Sequence, residues 1–162
     1  MALGDNTLRS AAGNSQRGRN PYMVETTLNW ATALSDKGSA LAASDVVPVI
    51  AVAKGTMILN AGIEVDTATD GSTFTVDLGT GVDPDVFVDG FDATSAAAEV
   101  AQNPAAYQPV MAVANDNIDV TIATLSGGAV TSGKFRVWAV LMDCTDAGND
   151  GTANEVDRDL LA

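Results

Sequence analysis

The sequence predicts an all-β protein, an antiparallel β-sandwich of jelly-roll-like type with an extended N-terminal arm and an acidic C-terminal tail. Three observations carry that expectation. Apolar and polar residues alternate with period two over several short runs, which sets one face of each run on a core and the other in water. Asp-Gly, Gly-Thr-Gly and Asp-Pro-Asp clusters cut those runs, most densely between Gly62 and Asp92, and such residues reverse a chain because Gly accepts positive φ, Pro presets φ and Asp caps its own turn. No segment shows the wide apolar stripe of a long amphipathic helix. Eight or so short strands with turns between them fit a sandwich.

Taken in order, residues 1–20 lack periodicity and read as a flexible arm; Arg9, Arg17 and Arg19 against Asp5 make it locally basic. Tyr22 to Trp30 alternates and reads as a first strand. Ala31 to Ser44, rich in Ala, Ser and Gly, reads as a loop with room for a helical turn at Ala40 to Ala43. Asp45 to Val52 is β-branched and forms the second strand; Pro48 cannot donate to a ladder, which places it at an edge or a bulge. Ala53-Lys54-Gly55-Thr56 makes a hairpin into a third strand, Met57 to Val65, where Gly62 marks a bulge or a close crossing. Thr73 to Leu78 and Val86 to Val88 follow as the fourth and fifth strands.

Ala93 to Ala101 has helix-like composition without a wide apolar face, so a loop and a single-turn helix fit it equally. Val110 to Val113, Ile118 to Thr124 and Lys134 to Met142 complete the strands, with Ser126-Gly127-Gly128 turning into the last. The second half of that last strand is apolar on both faces, which suits a central strand or one covered by a neighbouring subunit. The domain organisation expected is an arm over 1–20, a sandwich over 21–145 and an acidic tail over 146–162.

Composition narrows the function. The 162 residues carry a net charge of −13 and a pI near 4.1, a surface that repels phosphate backbones and anionic membranes; neither nucleic acid nor membrane is an expected partner. There is no histidine, which excludes a Ser-His-Asp or Cys-His triad and a His-ligated zinc site. The single cysteine, Cys144, forbids an intrachain disulfide and follows an apolar run, as a small core or strand-end residue does. No apolar run approaches the roughly 20 residues of a membrane helix, and the N-terminus lacks the apolar stretch of a secretion signal, so synthesis in a cytoplasm is expected.

The aspartates are the candidate chemistry. Asp83, Asp85, Asp89 and Asp92 fall within ten residues. Paired carboxylates can do acid and base work, and carboxylate oxygens can hold calcium. The plainer reading is turn formers on an acidic rim, and it is favoured: aromatics are too few for a sugar-lined cleft. Asp146, Asp150, Gly151 and Asp157 echo loop positions 1, 5, 6 and 12 of an EF-hand, but Gly148 stands at position 3 and no helices flank the loop. Gly79-Thr80-Gly81 precedes no helix and is no phosphate cradle. No cofactor is expected, with Ca2+ at Asp83, Asp85 and Asp89 the minority reading. Trp30 and Trp138 read as core or interface packing, and Trp138, Val140 and Met142 as a candidate oligomer interface.

Four pieces in order, DVVPVIAVAKGTMILNAGIEVDTATDGSTFTVDLG, DPDVFVDGFDATSAA, NDNIDVTI and KFRVWAVLMD, resemble small structural proteins of tailed bacteriophages of the marine and cyanophage type. The ordered series, spanning Asp45 to Asp143, carries the resemblance. The segment from Ala93 to Val110 departs from it, lacking a Gly/Tyr-rich loop. What the resemblance implies is a non-enzymatic virion protein: a decoration (cement) protein on the capsid exterior, a homotrimer whose partner is the major capsid protein, made in the host bacterium. A head fibre or tail component contacting the host is the nearest alternative, and a calcium- or glycan-binding module the rival from another class. In the favoured reading Arg9, Arg17 and Arg19 grip the shell.

Overall fold

The computed structural model describes residues 20–94, 100–101 and 109–144. Strands dominate: β1 (Tyr22–Asn29), β2 (Val46–Val52), β3 (Thr56–Thr67), β4 (Thr73–Thr80), β5 (Val88–Asp92), β6 (Val100–Ala101), β7 (Val110–Met111), β8 (Asp116–Ser126) and β9 (Lys134–Asp143), with helix α1 (Trp30–Lys37) after β1. All pairings are antiparallel. Sheet one runs β1-β9-β3-β6, with β7 also on β3; sheet two runs β2-β8-β4-β5. The expected all-β sandwich is what forms.

Alternation builds the core. In β9, Phe135, Val137, Ala139 and Leu141 are buried while Arg136, Trp138, Val140 and Met142 turn outward. Ile58, Ala61, Ile63 and Val65 of β3 face inward beside them. Sheet two answers with Phe74, Val76 and Leu78 of β4 and Ile118, Val120 and Ile122 of β8. Fully burying an aliphatic side chain of this size stabilises by about 1.5–3 kcal/mol, so this layer holds the two sheets together. Trp30 closes one end of it, edge-on to Phe74 at 4.9 Å and to Phe135 at 5.6 Å.

Three expectations need correction. Trp30 does not end the first strand, and Ala31 to Lys37 is no loop: Trp30 opens α1. Asn29 caps it, accepting a hydrogen bond from the Ala31 N–H, and Gly38 at φ 69° ends it, donating to the carbonyls of Leu34 and Ser35. No helical turn forms at Ala40 to Ala43; there the Asp45 carboxylate accepts from the Ala42 N–H and pairs with Lys37 at 2.5 Å. Strand β5 starts at Val88, because residues 81–87 are taken up in the loop that seats Phe87 in the core.

Other local expectations agree. Pro48 lies on edge strand β2, where the register against β8 shifts between Pro48 and Ile50. Gly62 marks a close crossing: a Cβ there would stand 2.5 Å from Cζ2 of Trp138. The bulges of β3 fall elsewhere, between Ile58 and Asn60 and between Val65 and Thr67.

The connections sort into two poles. At one pole β1 begins and β9 ends, and residues 53–55, 81–87 and 112–115 turn the chain. The other holds α1 and residues 68–72 and 127–133.

Candidate functional site

The pole where β1 begins and β9 ends is apolar where a loop region is ordinarily polar. Val82 is 85% exposed, Val113 76% and Met111 41%, and Tyr22 and Met23 are exposed at the start of β1. Val52, Ile58, Val110 and Ala112 join Val82, Met111 and Val113 around a groove of about 160 Å3 there. Its polar rim is Thr80, Asp116 and Asn117. Backbone bonds hold its walls: Gly55 N–H to the Ala112 carbonyl at 2.7 Å, and Ala112 N–H to that of Thr56 at 2.9 Å. Cys144 leaves the fold here, its N–H on the Gly55 carbonyl at 2.9 Å; it is half-buried at a strand end.

The opposite pole is tied by hydrogen bonds. Asp70 accepts from the Thr131 hydroxyl at 2.5 Å, the Thr131 N–H at 2.9 Å and the Ser132 N–H at 3.1 Å. Those donors, the hydroxyl first, hold its carboxyl at about 2. Asp92 accepts both the N–H and the hydroxyl of Thr94, which lowers its pKa as well.

The two outer faces differ as sharply. On sheet one, register sets Trp138 beside Glu25 and Gly62, Val140 beside Met23 and Asn60, and Met142 beside Met57, which in turn pairs Met111. Trp138, Val140 and Met142, singled out in the sequence, are therefore half-buried neighbours on one surface. Sequence reading missed Met23, Met57 and Met111, which the strand pairing brings to the same surface. The signal was there in the alternation, but it becomes a face only once β1, β3 and β7 are known to flank β9. Arg136 lies at the far end, its Nε on Glu64 at 2.6 Å and its Nη1 on Glu25 at 3.4 Å.

Sheet two's outer face is acidic. Burial pushes the Asp77 carboxyl up, against the Gly90 N–H that it accepts at 2.7 Å, and the charges of Asp89 and Asp85 add to the rise. Burial likewise raises Asp119, with Asp116 beside it. Asp83 is raised by sharing a hydrogen bond with Asp85.

The four-aspartate run is thus divided: Asp83 and Asp85 pair in the 81–87 loop, Asp89 lies toward Asp77, and Asp92 caps Thr94 at the far end of β5. Among the described residues no three His, Cys, Asp or Glu side chains form a group able to hold a metal ion. Also among them, no helix is long and apolar enough to cross a membrane. Arg9, Arg17 and Arg19, and the EF-hand echo at Asp146, Asp150, Gly151 and Asp157, lie outside the described residues, as do nearly all of the expected arm and tail.

No protein-family model matches the chain, and no curated protein does. Two solved structures share its fold, and a third is similar at a lower level. A chain of the cyanophage Pam1 capsid asymmetric unit superposes with a TM-score of 0.59 at 16% identity, covering 87% of this chain and 97% of that one. A chain of the Ralstonia phage GP4 capsid gives 0.52 at 16% identity, covering 85% and 90%. A chain from the acid-stable capsid of Helicobacter pylori bacteriophage KHP30 gives 0.48 at 14% identity, covering 74% and 86%.

Proposed function

We propose that this chain is a non-enzymatic virion structural protein of a bacteriophage, a decoration (cement) protein that binds the outer surface of the head as a homotrimer. The observation that carries the reading is the apolar pole. Val82 and Val113, 85% and 76% exposed, flank one groove at the end where β1 begins and β9 ends. Exposed apolar side chains gathered around a groove in this way mark contact surfaces. The fold shared with chains of two phage capsid structures supports the same class. The ordered resemblance from Asp45 to Asp143 narrows it toward decoration.

The mechanism is assembly by repetition. A rigid sandwich presents this pole to the major capsid protein while the segment carrying Arg9, Arg17 and Arg19 grips the shell. Many modest contacts repeated over a shell give high avidity even when each is weak. The charge balance fits: a chain at −13 stays soluble at high local concentration, and its basic segment alone seeks acidic ground. A head fibre or tail component uses the same features against a different partner.

Deleting residues 1–20 should abolish co-sedimentation with expanded capsids while leaving the oligomer intact; unaltered binding would overturn the role of the arginines. Two further measurements separate the rival class. A calcium module loses thermal stability in EDTA, and a glycan binder is retained on a sugar array; a decoration protein does neither.

A further inference from the structure

We propose that the outer face of sheet one is the surface on which a second copy of this chain seats. The inference rests on the self-association in the reading above and assigns it a face. Four methionines, Met23, Met57, Met111 and Met142, meet there with Val140 and Trp138. The chain's remaining methionine is Met1. Methionine is unbranched and polarisable and fits itself to an opposing surface, and Met, Trp and Arg are the types enriched where proteins meet. Met23 is 56% exposed although it sits among apolar neighbours.

Charge identifies the occupant. On this sheet the cations Lys134 and Arg136 stand against the carboxylates Glu25, Glu64 and Asp66, which brings the end where they lie within one charge of balance. Elsewhere the described surface is dominated by aspartates, and the whole chain stands at −13. Two copies approaching by sheet two would set Asp77, Asp89 and Asp119 against their own kind. Sheet one is where like-charge repulsion is weakest, and where the Arg136 of one copy can meet glutamates of the other. A cationic partner would be drawn to sheet two instead. The complement of a nearly charge-balanced apolar face is another such face, and a second copy supplies it.

The size suffices. Strands β1, β9 and β3, of 8, 10 and 12 residues, with the two-residue β6 and β7 beside them, give roughly 500 Å2 in projection at about 4.8 Å between strands and about 3.3 Å per residue. Side-chain relief carries the accessible area toward the roughly 800 Å2 per partner of a stable interface.

Light-scattering mass of the full chain tests this. At about 10 µM the unchanged protein should read a multiple of its 16.5 kDa. The Met23→Asp/Met111→Asp pair, both exposed side chains, should read 16.5 kDa with an unaltered melting curve. The single Met23→Lys should raise the dissociation constant at least tenfold. Val46→Asp, exposed at the opposite pole, should leave the mass unchanged. If the paired variant and Met23→Lys both keep the parent's mass and affinity, the face assignment fails and self-association stands. If the unchanged chain itself reads 16.5 kDa, self-association fails and the inference with it.

Discussion

The two outer faces of this sandwich are made by the same device and carry opposite chemistry. Both arise because alternate residues of an antiparallel strand leave the core. On sheet one the outward positions hold Met23, Met57, Trp138, Val140 and Met142 around a single Glu25–Arg136–Glu64 cluster. On sheet two they hold Asp77, Asn117, Asp119 and Thr121. A core requirement fixes one residue in two and leaves the other free, so the free positions record what each face meets. Asp77 and Asp119, whose carboxyls burial already raises, would lose more water if that face were covered. Apolar side chains left half-covered belong on a face that meets another surface.

The sharpest way to break the contrast is at Gly62. Trp138 lies across that position so closely that a Cβ would come within 2.5 Å of Cζ2 and 3.1 Å of the Ala101 carbonyl oxygen. Gly62→Ala must lift the indole or push β6 away, and overpacking of this kind costs about 1–3 kcal/mol. Thermal unfolding should shift down accordingly, and the fluorescence of Trp138 should move to the red as its ring is exposed. Since Trp30 is fully buried at the other pole, its emission should stay where it is. An unchanged melting point would mean that the indole moves aside freely and that the face is softer than its packing implies.

Relieving sheet two should act with the opposite sign. Asp77 and Asp119 have folded pKa values raised above the unfolded value, so the folded state favours their protonated forms. Their contribution is fully present below the unfolded value of 3.8 and is lost as pH rises through the raised folded values. Asp77→Asn/Asp119→Asn removes that loss while keeping an oxygen for the Gly90 N–H. The variant should be more stable than the parent near neutral pH, by about 0.5 kcal/mol or less because solvent screens these partly exposed groups, and should lose that advantage below about pH 4. Asp70 runs the other way: held at about 2, its contribution is present above 3.8 and lost as pH falls through 2. Parent and variant should therefore converge in acid and fall together. A variant that gains nothing at pH 7 would show that the carboxylates of sheet two are better hydrated than their burial implies.

What could be read from the sequence follows the range of the forces involved. Period-two alternation is local, so the sandwich, the edge position of Pro48 and the two-faced strand at Lys134 to Met142 were all legible. The helix Trp30 to Lys37 was also written locally, as Asn29 at its start, Lys37 in its last turn and Gly38 just beyond. Its low apolar content masked those caps, because most of its residues face solvent and only Trp30 is buried. The acidic run from Asp83 to Asp92 shows the limit of local reading: nearness in sequence is not nearness in space when a strand carries the fourth residue away. Of the methionine face only the β9 part, Trp138, Val140 and Met142, could be read, because its other members sit on strands whose order is set by long-range pairing.

The smallest effect separates the faces side chain by side chain. Dilute hydrogen peroxide converts accessible methionines to sulfoxides, and every internal methionine of this chain lies on sheet one. In the separated chain, Met23 at 56% exposure should oxidise first, Met111 at 41% next, and half-buried Met57 and Met142 last, with little change in melting temperature. Peptide mass spectrometry reads the order directly. Raising the protein concentration should then slow Met23 and Met111 selectively, since a covered face shields its exposed members most. Rates for Met23 and Met111 that do not depend on concentration would mean that this face stays open to water even where copies associate. The difference between the two faces would then lie in composition alone and not in what covers them.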